Sequence, residues 1–339
     1  MNISVIIPCH NAEAFVGSTI RSVLAQTHSD VEVIVIDDGS SDDSWSQITA
    51  FGDHVSAVRQ ENRGACHARN RGARRATGEA LMFLDADDLL SEDTLSALAE
   101  TLSIDDNVVA ACQWNYLRWT GEGWTEKPSN QSCSPPKGDY IRGWLSGWFV
   151  PPCGLLWSKS AFESVGGWDE TLHANQDGDL ILRALLGGTK IHQTSKGKAL
   201  YRTFENTDHT SLSKKQTKRA LLSRARVMKK VTECLKDRGQ LAKYAGEIGH
   251  ELHKIAKRGF NVAQPRSDAY LDQMEKVANE ARELAGVKAI SGSVFHRLGC
   301  QLLGLRRKER LAALLARVGI GSPIRKRNLS DASPGTANT

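Results

Sequence analysis

No apolar stretch in this sequence approaches the roughly 20 residues that a membrane-crossing helix requires. The opening Met1-Asn2-Ile3-Ser4-Val5-Ile6-Ile7-Pro8 lacks the basic start and long apolar run of a secretory leader. A soluble or peripheral chain in the cytoplasm is therefore expected. The seven cysteines (Cys9, Cys66, Cys112, Cys133, Cys153, Cys234, Cys300) are odd in number, scattered and without C-x-x-C spacing, which argues against a zinc cage or a disulfide framework and leaves reduced thiols. The glycines of G-x-G-x-x-G are missing too. The first turn reads Pro8-Cys9-His10-Asn11, and no P-loop lysine pattern follows, so a dinucleotide-binding Rossmann loop and a Walker loop are both excluded.

What is present is globular in composition: 339 residues, 40% hydrophobic and 24% charged, enough for one large α/β domain with an appendage or for two domains. A formal net charge of +5 conceals a division. Lys214 to Thr339 carries 27 Lys/Arg and 11 Asp/Glu, a net +16, whereas the residues before it carry 17 and 28, a net −11. The acidic part suits a site for a divalent cation; the basic part is either a solvated helical face or a surface for an anionic partner. Nucleic acid is the weakest candidate partner, because no DNA- or RNA-binding module accompanies the charge.

Ile3 to Ile7 reads as a buried strand stopped by Pro8, and Val16, Ile20, Val23 and Leu24 recur at helical spacing. Val31 to Ile36 is a second apolar strand, ending in the turn cluster Asp37-Asp38-Gly39-Ser40-Ser41-Asp42. A weaker strand at Val55 to Val58 precedes an Arg- and Ala-rich helix from Ala65 to Ala76. Ala80 to Leu84 is a further strand ending in Asp85-Ala86-Asp87-Asp88, before a helix from Glu92 with Ser91 as N-cap. Such alternation implies a doubly wound sheet with its ligand at the carboxyl ends of the strands, where the acidic clusters fall. Acid pairs in turns are usually just solvated. Directly after a buried strand, however, Asp85 and Asp87 are placed to hold a hard cation that also binds phosphate oxygens, the counter-charge a missing phosphate loop would otherwise supply.

Several segments, taken in order, resemble the family-2 inverting glycosyltransferases of GT-A fold over roughly Asn2 to Ser213. They are Ser4 to Asn11, Ser22 to Thr27, Val35 to Asp42, Asn62-Arg63-Gly64 with Ala68 to Gly72, Phe83 to Asp88, Phe162 to Leu172, and Gln176 to Leu180 with Leu182-Arg183. The resemblance implies a GT-A nucleotide-diphospho-sugar transferase fold, a doubly wound mixed sheet, over residues 1–213. It further implies transfer from a nucleotide-sugar, a UDP-sugar first among them, to a hydroxyl-bearing glycan or glycolipid with Mn²⁺ or Mg²⁺ as cofactor. Asp38 would accept a hydrogen bond from the donor's base, with Pro8 and His10 flanking the nucleotide. Asp85 would meet ribose and diphosphate, and Asp85 and Asp87 the metal. Arg69 either approaches the nucleotide or forms a structural ion pair. Asp177 matches the family's catalytic base, with Asp179 in reserve; Gln176 stands where glutamate is common, which leaves a catalytically inactive relative as the alternative reading. Tyr201-Arg202 and His209 to Ser213 resemble the loop that closes over the donor, and His209 would complete the metal shell.

The tryptophans between these motifs suit a core, except Trp144 and Trp148, which share a helical face and are expected near the rim of an acceptor site. Gly121 to Gly138 reads as a loop or hairpin insertion. Residues 214–327 read as a basic helical extension with a break at Gly259 to Ser267 and a helix near Asp268 to Leu284. In it, an amphipathic Arg-rich segment from Leu305 to Val318 would touch anionic lipid at the inner face of the membrane. Residues 328–339 read as a disordered polar tail.

Overall fold

The computed structural model describes residues 1–102, 107–129, 131, 134–204, 217–262, 268–285 and 305. Strand β1 (Ile3–Cys9) is buried along its whole length, which is why its sequence is continuously apolar rather than alternating. After it come α1 (Val16–Leu24), β2 (Val31–Asp38), α2 (Ser44–Thr49), β3 (Ser56–Gln60), α3 (Ala65–Arg75), β4 (Ala80–Phe83), β5 (Leu89–Leu90) and α4 (Thr94–Leu102). The second part of the sheet is built from β6 (Val108–Trp119), β7 (Trp124–Pro128), β8 (Leu155–Ser158) and β9 (Lys190–Phe204), with α5 (Tyr140–Leu145), α6 (Lys159–Ser164) and α7 (Gln176–Gly187) between them. Three further helices follow, α8 (Lys218–Asp237), α9 (Leu241–Asn261) and α10 (Asp268–Ala285).

The described strands form one mixed sheet in the order β3-β2-β1-β4-β8-β6-β9-β5, with β7 paired to β6. β1 to β4 run parallel, and β8 lies antiparallel between β4 and β6. The chain steps outward from β1 to β3 and then returns as β4 on the other side of β1, so a crevice opens between the carboxyl ends of β1 and β4. Pro8 fits inside β1 because the β4 ladder has already ended. The Leu84 N–H donates to the Ile6 carbonyl (3.0 Å), and the next residue of that parity, Pro8, lies beyond the end of β4, where its missing N–H costs no ladder bond. Helix α3 lies so close to β1 that a Cβ at Gly72 would collide with Ile6.

Several local expectations shift. The third strand runs from Ser56 rather than Val55 and extends to Gln60. The helix after the acid turn begins at Thr94 rather than Glu92, because Leu89–Leu90 is captured as a strand by β9. Ser91 is no N-cap: its hydroxyl hydrogen-bonds Asp93 and Thr94 and accepts from the Lys198 N–H. Trp144 and Trp148 do not share a helical face. Helix α5 ends at Leu145 with Gly147 at φ 94°, and the Trp148 N–H returns to the Gly143 carbonyl (2.9 Å), a Schellman closure that turns Trp148 into the core against Trp144 and Tyr140. The insertion is a hairpin whose first arm, β6, starts well before Gly121.

The hydrophobic cluster that fills the sheet continues into Leu221, Val227, Val231 and Leu235 of α8 and Ile248 and Leu252 of α9. Among the described residues no helix is long and apolar enough to cross a membrane. Of the segment Leu305 to Val318 only Leu305 falls among the described residues, and His209 and the tail from 328 fall outside them.

Candidate functional site

Three strand ends converge on the crevice. At the end of β2, Gly39 takes φ +74°, and its lack of a side chain lets the backbone of Asn62 approach closely. Asp38, 3% exposed, is held by the loop after β3: its Oδ1 accepts from the Gln60 side-chain amide (2.6 Å) and the Arg63 N–H (2.9 Å), its Oδ2 from the Gly64 N–H (2.8 Å). A carboxylate has about four acceptor positions, so this one retains capacity for a further donor. His10, exposed at the end of β1, places Nδ1 3.0 Å from the Asp38 carbonyl oxygen, and the Asn62 amide nitrogen lies 3.2 Å from both ring nitrogens. Pro8 is buried behind it. Asp37 faces away into an ion pair with Arg59 (3.0 Å).

The acid turn after β4 is crowded. Burial first, and then the charge of Asp85, raise the Asp87 carboxyl to about 6. Burial, Asp87 and Asp85 hold Asp88 well above the ordinary carboxylate range. Asp88 is structural, accepting from the Arg202 N–H (2.9 Å). The Arg202 guanidinium donates to the Asp87 carbonyl (3.1 Å) and the Ser18 hydroxyl (2.9 Å) and lies over Phe15 and Trp124. Thr19 Oγ1 lies 2.8 Å from both the Ala86 and Asp88 carbonyls, which pins the turn from α1.

Arg69 forms an ion pair with the acid turn. Only 7% exposed, it meets Asp85 at 2.5 Å through Nη2 and Gln176 Oε1 at 3.3 Å through Nη1, with its guanidinium 4.5 Å from the centre of the Trp168 ring. The next residue, Asn70, accepts from the Trp168 N–H and donates to the Trp168 carbonyl, each at 2.9 Å. One turn of α3 thus joins the acid turn to the segments around Trp168 and Gln176. The Gln176 amide also donates to the Leu172 carbonyl (2.8 Å), so the residue that departs from the usual glutamate is built into the arrangement.

Asp177 lies in the first turn of α7, half-buried, and burial raises its carboxyl above the ordinary range. Asp179 is a different kind of residue. It is 1% exposed and ion-paired through both oxygens: Arg183 contacts Oδ2 at 2.8 and 2.7 Å, and Lys230 reaches Oδ1 at 2.8 Å. A carboxylate so buried and paired with two cations is poorly placed to take a proton from an acceptor hydroxyl. Lys230, from α8, also pairs with Asp169, and Ser223 of the same helix accepts from the His173 and Ala174 N–H groups (3.0 and 3.2 Å) and donates to the Ala174 carbonyl (3.0 Å). Sequence reasoning missed Gln60, Trp168 and Lys230, because each acts through a partner distant in sequence, and Tyr201-Arg202, expected in a loop, lies in β9, where pairing with β6 holds it. Trp144 packs partly buried against the core rather than standing free.

This geometry can be set beside known proteins. Residues 4–166 match the family model described as Glycosyl transferase family 2. The uncharacterized glycosyltransferase alr2836 of Nostoc sp. is 32% identical over 237 residues, which cover 66% of this chain and 72% of that protein. The uncharacterized glycosyltransferase YibD of Escherichia coli is 37% identical over 133 residues, 38% of this chain and 39% of its own. The crystal structure of S. aureus TarS residues 1–349 in complex with UDP-GlcNAc superposes with a TM-score of 0.64 at 16% identity, covering 94% of this chain and 93% of that one. Sequence kinship across the strand-end motifs and a shared architecture across nearly the whole chain agree: the chain belongs to glycosyl transferase family 2 and is a glycosyltransferase of GT-A fold.

Proposed function

We propose that this glycosyltransferase moves a hexosyl group from a UDP-sugar to a hydroxyl of a glycan or glycolipid, with inversion at the anomeric carbon, in the building of a cell-surface polysaccharide or glycolipid. The observation that carries the reading is Arg69, which contacts both Asp85 and Gln176 and so sets the acid turn and the Asp177 helix against each other across one crevice. The capture of UDP-GlcNAc and of UDP by S. aureus TarS supports the choice of donor class.

In this reading Asp38, held rigid by three donors, accepts from the base, and His10 and Pro8 flank it. The residues fit a divalent cation: Asp85 and Asp87 present hard oxygens on one turn, and burial, then the charge of Asp85, raises the proton affinity of Asp87, a cost that a bound cation would offset. Among the described residues no three ligating side chains converge, so phosphate, water and His209 would fill the rest of the shell. Mn²⁺ or Mg²⁺ bound there would neutralise charge on the departing diphosphate. Asp177 takes the acceptor hydroxyl's proton on a carboxylate oxygen as the new bond to the anomeric carbon forms and the bond to phosphate oxygen breaks, its electrons leaving with UDP. Burial raises the proton affinity of Asp177, as a base working near neutral pH requires. The basic residues after Lys214 hold the enzyme at the inner face of the membrane, with Leu305 to Val318 against anionic lipid.

Titration calorimetry with UDP-sugars and Mn²⁺, set beside turnover, tests the assignment. Asp87→Ala is expected to abolish metal-dependent donor binding, and Asp177→Asn to keep donor affinity while transfer collapses. Equal loss of binding in both variants rejects the roles. Flotation on phosphatidylglycerol vesicles, lost on deletion of residues 305–339, is the expected result for the membrane contact; unchanged flotation rejects it.

A further inference from the structure

The acidic first part of the chain contains one sharply basic island. Between Arg59 and Arg75 there are six arginines and a single acid, Glu61, within residues 1–213 that otherwise carry an excess of acids. Two of the six are consumed, Arg59 by Asp37 and Arg69 by Asp85. The other four, Arg63, Arg71, Arg74 and Arg75, line a cavity of about 620 Å³ between the end of β3 and the outer face of α3, with Gln60, His67 and Glu61 completing its wall. Arg63, Arg74 and Arg75 are exposed and make no ion pair with a described residue, although residues 1–213 carry more acids than bases.

The cavity's inner wall is ordered. Asp38 can only accept and Arg71 can only donate, so the Gln60 amide has one orientation: Nε2 towards Asp38 (2.6 Å), Oε1 towards Arg71 Nη1 (3.0 Å). The same Nε2 lies 3.0 Å from His67 Nδ1, which must then accept, so a neutral His67 carries its proton on Nε2 as a further donor in the cavity wall. Arg71 is half-buried and held from behind, which limits the rotamer freedom it would lose on meeting an anion. Convergent guanidinium forks with one acid among them match the oxygens of phosphate better than a point charge or an apolar group.

We propose that this cavity is a binding site for a phosphate-bearing ligand, a diphosphate or phosphomonoester group, separate from the donor crevice on the opposite face of α3. It shares Gln60 with Asp38, so it lies one side chain behind the position proposed for the donor's base.

Calorimetry with the full chain in EDTA uses pyrophosphate and glycerol 1-phosphate as soluble probes, and flotation on phosphatidic acid vesicles as the membrane arm. Removing divalent cation leaves the acid turn repulsive to these anions, so binding reports the arginines. The variants R74K/R75K and R74E/R75E change exposed residues outside the donor site, and Asp87→Ala serves as the control. The expected result is saturable binding of at least one probe, unchanged in Asp87→Ala, weakened at least tenfold by R74E/R75E and also by R74K/R75K, which keeps the charge but removes the forks. Soluble-probe binding identifies a free phosphate compound as the source, and fork-dependent flotation without it identifies a lipid headgroup. Failure of all three probes, or binding that R74K/R75K leaves intact, overturns the proposal, the latter by showing only diffuse attraction to a basic surface.

Discussion

Replacing Lys230 by methionine removes one charge while keeping the apolar stem, and the structure fixes what is lost. Lys230 Nζ bridges Asp169, 20% exposed, and Asp179, 1% exposed. Stripping one partner from a buried pair costs about 3–5 kcal/mol, an upper figure here because Arg183 still contacts Asp179 at 2.8 and 2.7 Å. Asp169 gives a second measure. Burial pushes its carboxyl up, but hydrogen bonds from Lys230 and Thr171 outweigh burial and bring it from 3.8 to about 2. The whole displacement corresponds to about 2 kcal/mol, a ceiling on the Lys230 share because the Thr171 hydrogen bonds stay in the variant. Equilibrium urea unfolding at pH 7 should therefore show Lys230→Met less stable by about 2–3 kcal/mol. A carboxyl depressed in the folded state contributes stability that is present above its unfolded value and lost as pH falls through its folded one. The gap between wild type and variant should thus narrow as pH falls from about 4 towards 2, the interval between the two Asp169 values. A difference under about 0.5 kcal/mol at pH 7, the level of an ordinary surface substitution, would refute the argument. So would a gap that stays constant down to pH 3.

Three further outcomes are expected. Because Asp87 holds its proton up to about 6, Mn²⁺ competes with that proton, and Mn²⁺ affinity read by electron paramagnetic resonance should fall as pH drops below 6. The fall should approach about tenfold per pH unit, and affinity flat between pH 7 and 5 would contradict it. Gly72→Ala drives a methyl into Ile6 and should cost about 1–3 kcal/mol in urea unfolding, with KM for the donor little changed; a neutral effect would mean that α3 can lift off β1 freely. Arg69→Lys keeps a charge for Asp85 but loses the fork to Gln176 and the stacking on Trp168, so kcat should drop at least about tenfold in steady-state assays, whereas near wild-type turnover would remove Arg69 from the reading.

The elements legible in the sequence are those buried on both faces. β1, β2 and β4 announce themselves as unbroken apolar runs followed by acids, and that is enough to place the crevice at their carboxyl ends. β9 was not legible: its stretch Ile191-His192-Gln193-Thr194-Ser195-Lys196-Gly197-Lys198 is largely polar, and only its pairing with β6 and β5 makes it a strand. Trp148 misled because helical spacing continues past Leu145 although Gly147 ends the helix. The choice between Asp177 and Asp179, two residues apart on one helix, turns on Arg183 and Lys230, and Lys230 lies 51 residues from Asp179 in the chain. No local pattern contains that information.

That separation also bears on the making of the protein. The helix carrying Asp177 leaves the ribosome with Asp179 complete on its Arg183 side and bare on the other, and its lysine is encoded 51 residues later. At a synthesis rate of about 5–20 residues per second, the interval is on the order of 3–10 s. During it the crevice at the ends of β1 and β4 can already close, while the segments around His173 and Asp179 still lack the α8 contacts of Ser223 and Lys230. On the roles proposed above, donor-binding competence would then precede transfer competence on the nascent chain, and a stop codon between the two would leave a fragment able to take up donor but not to present Asp177.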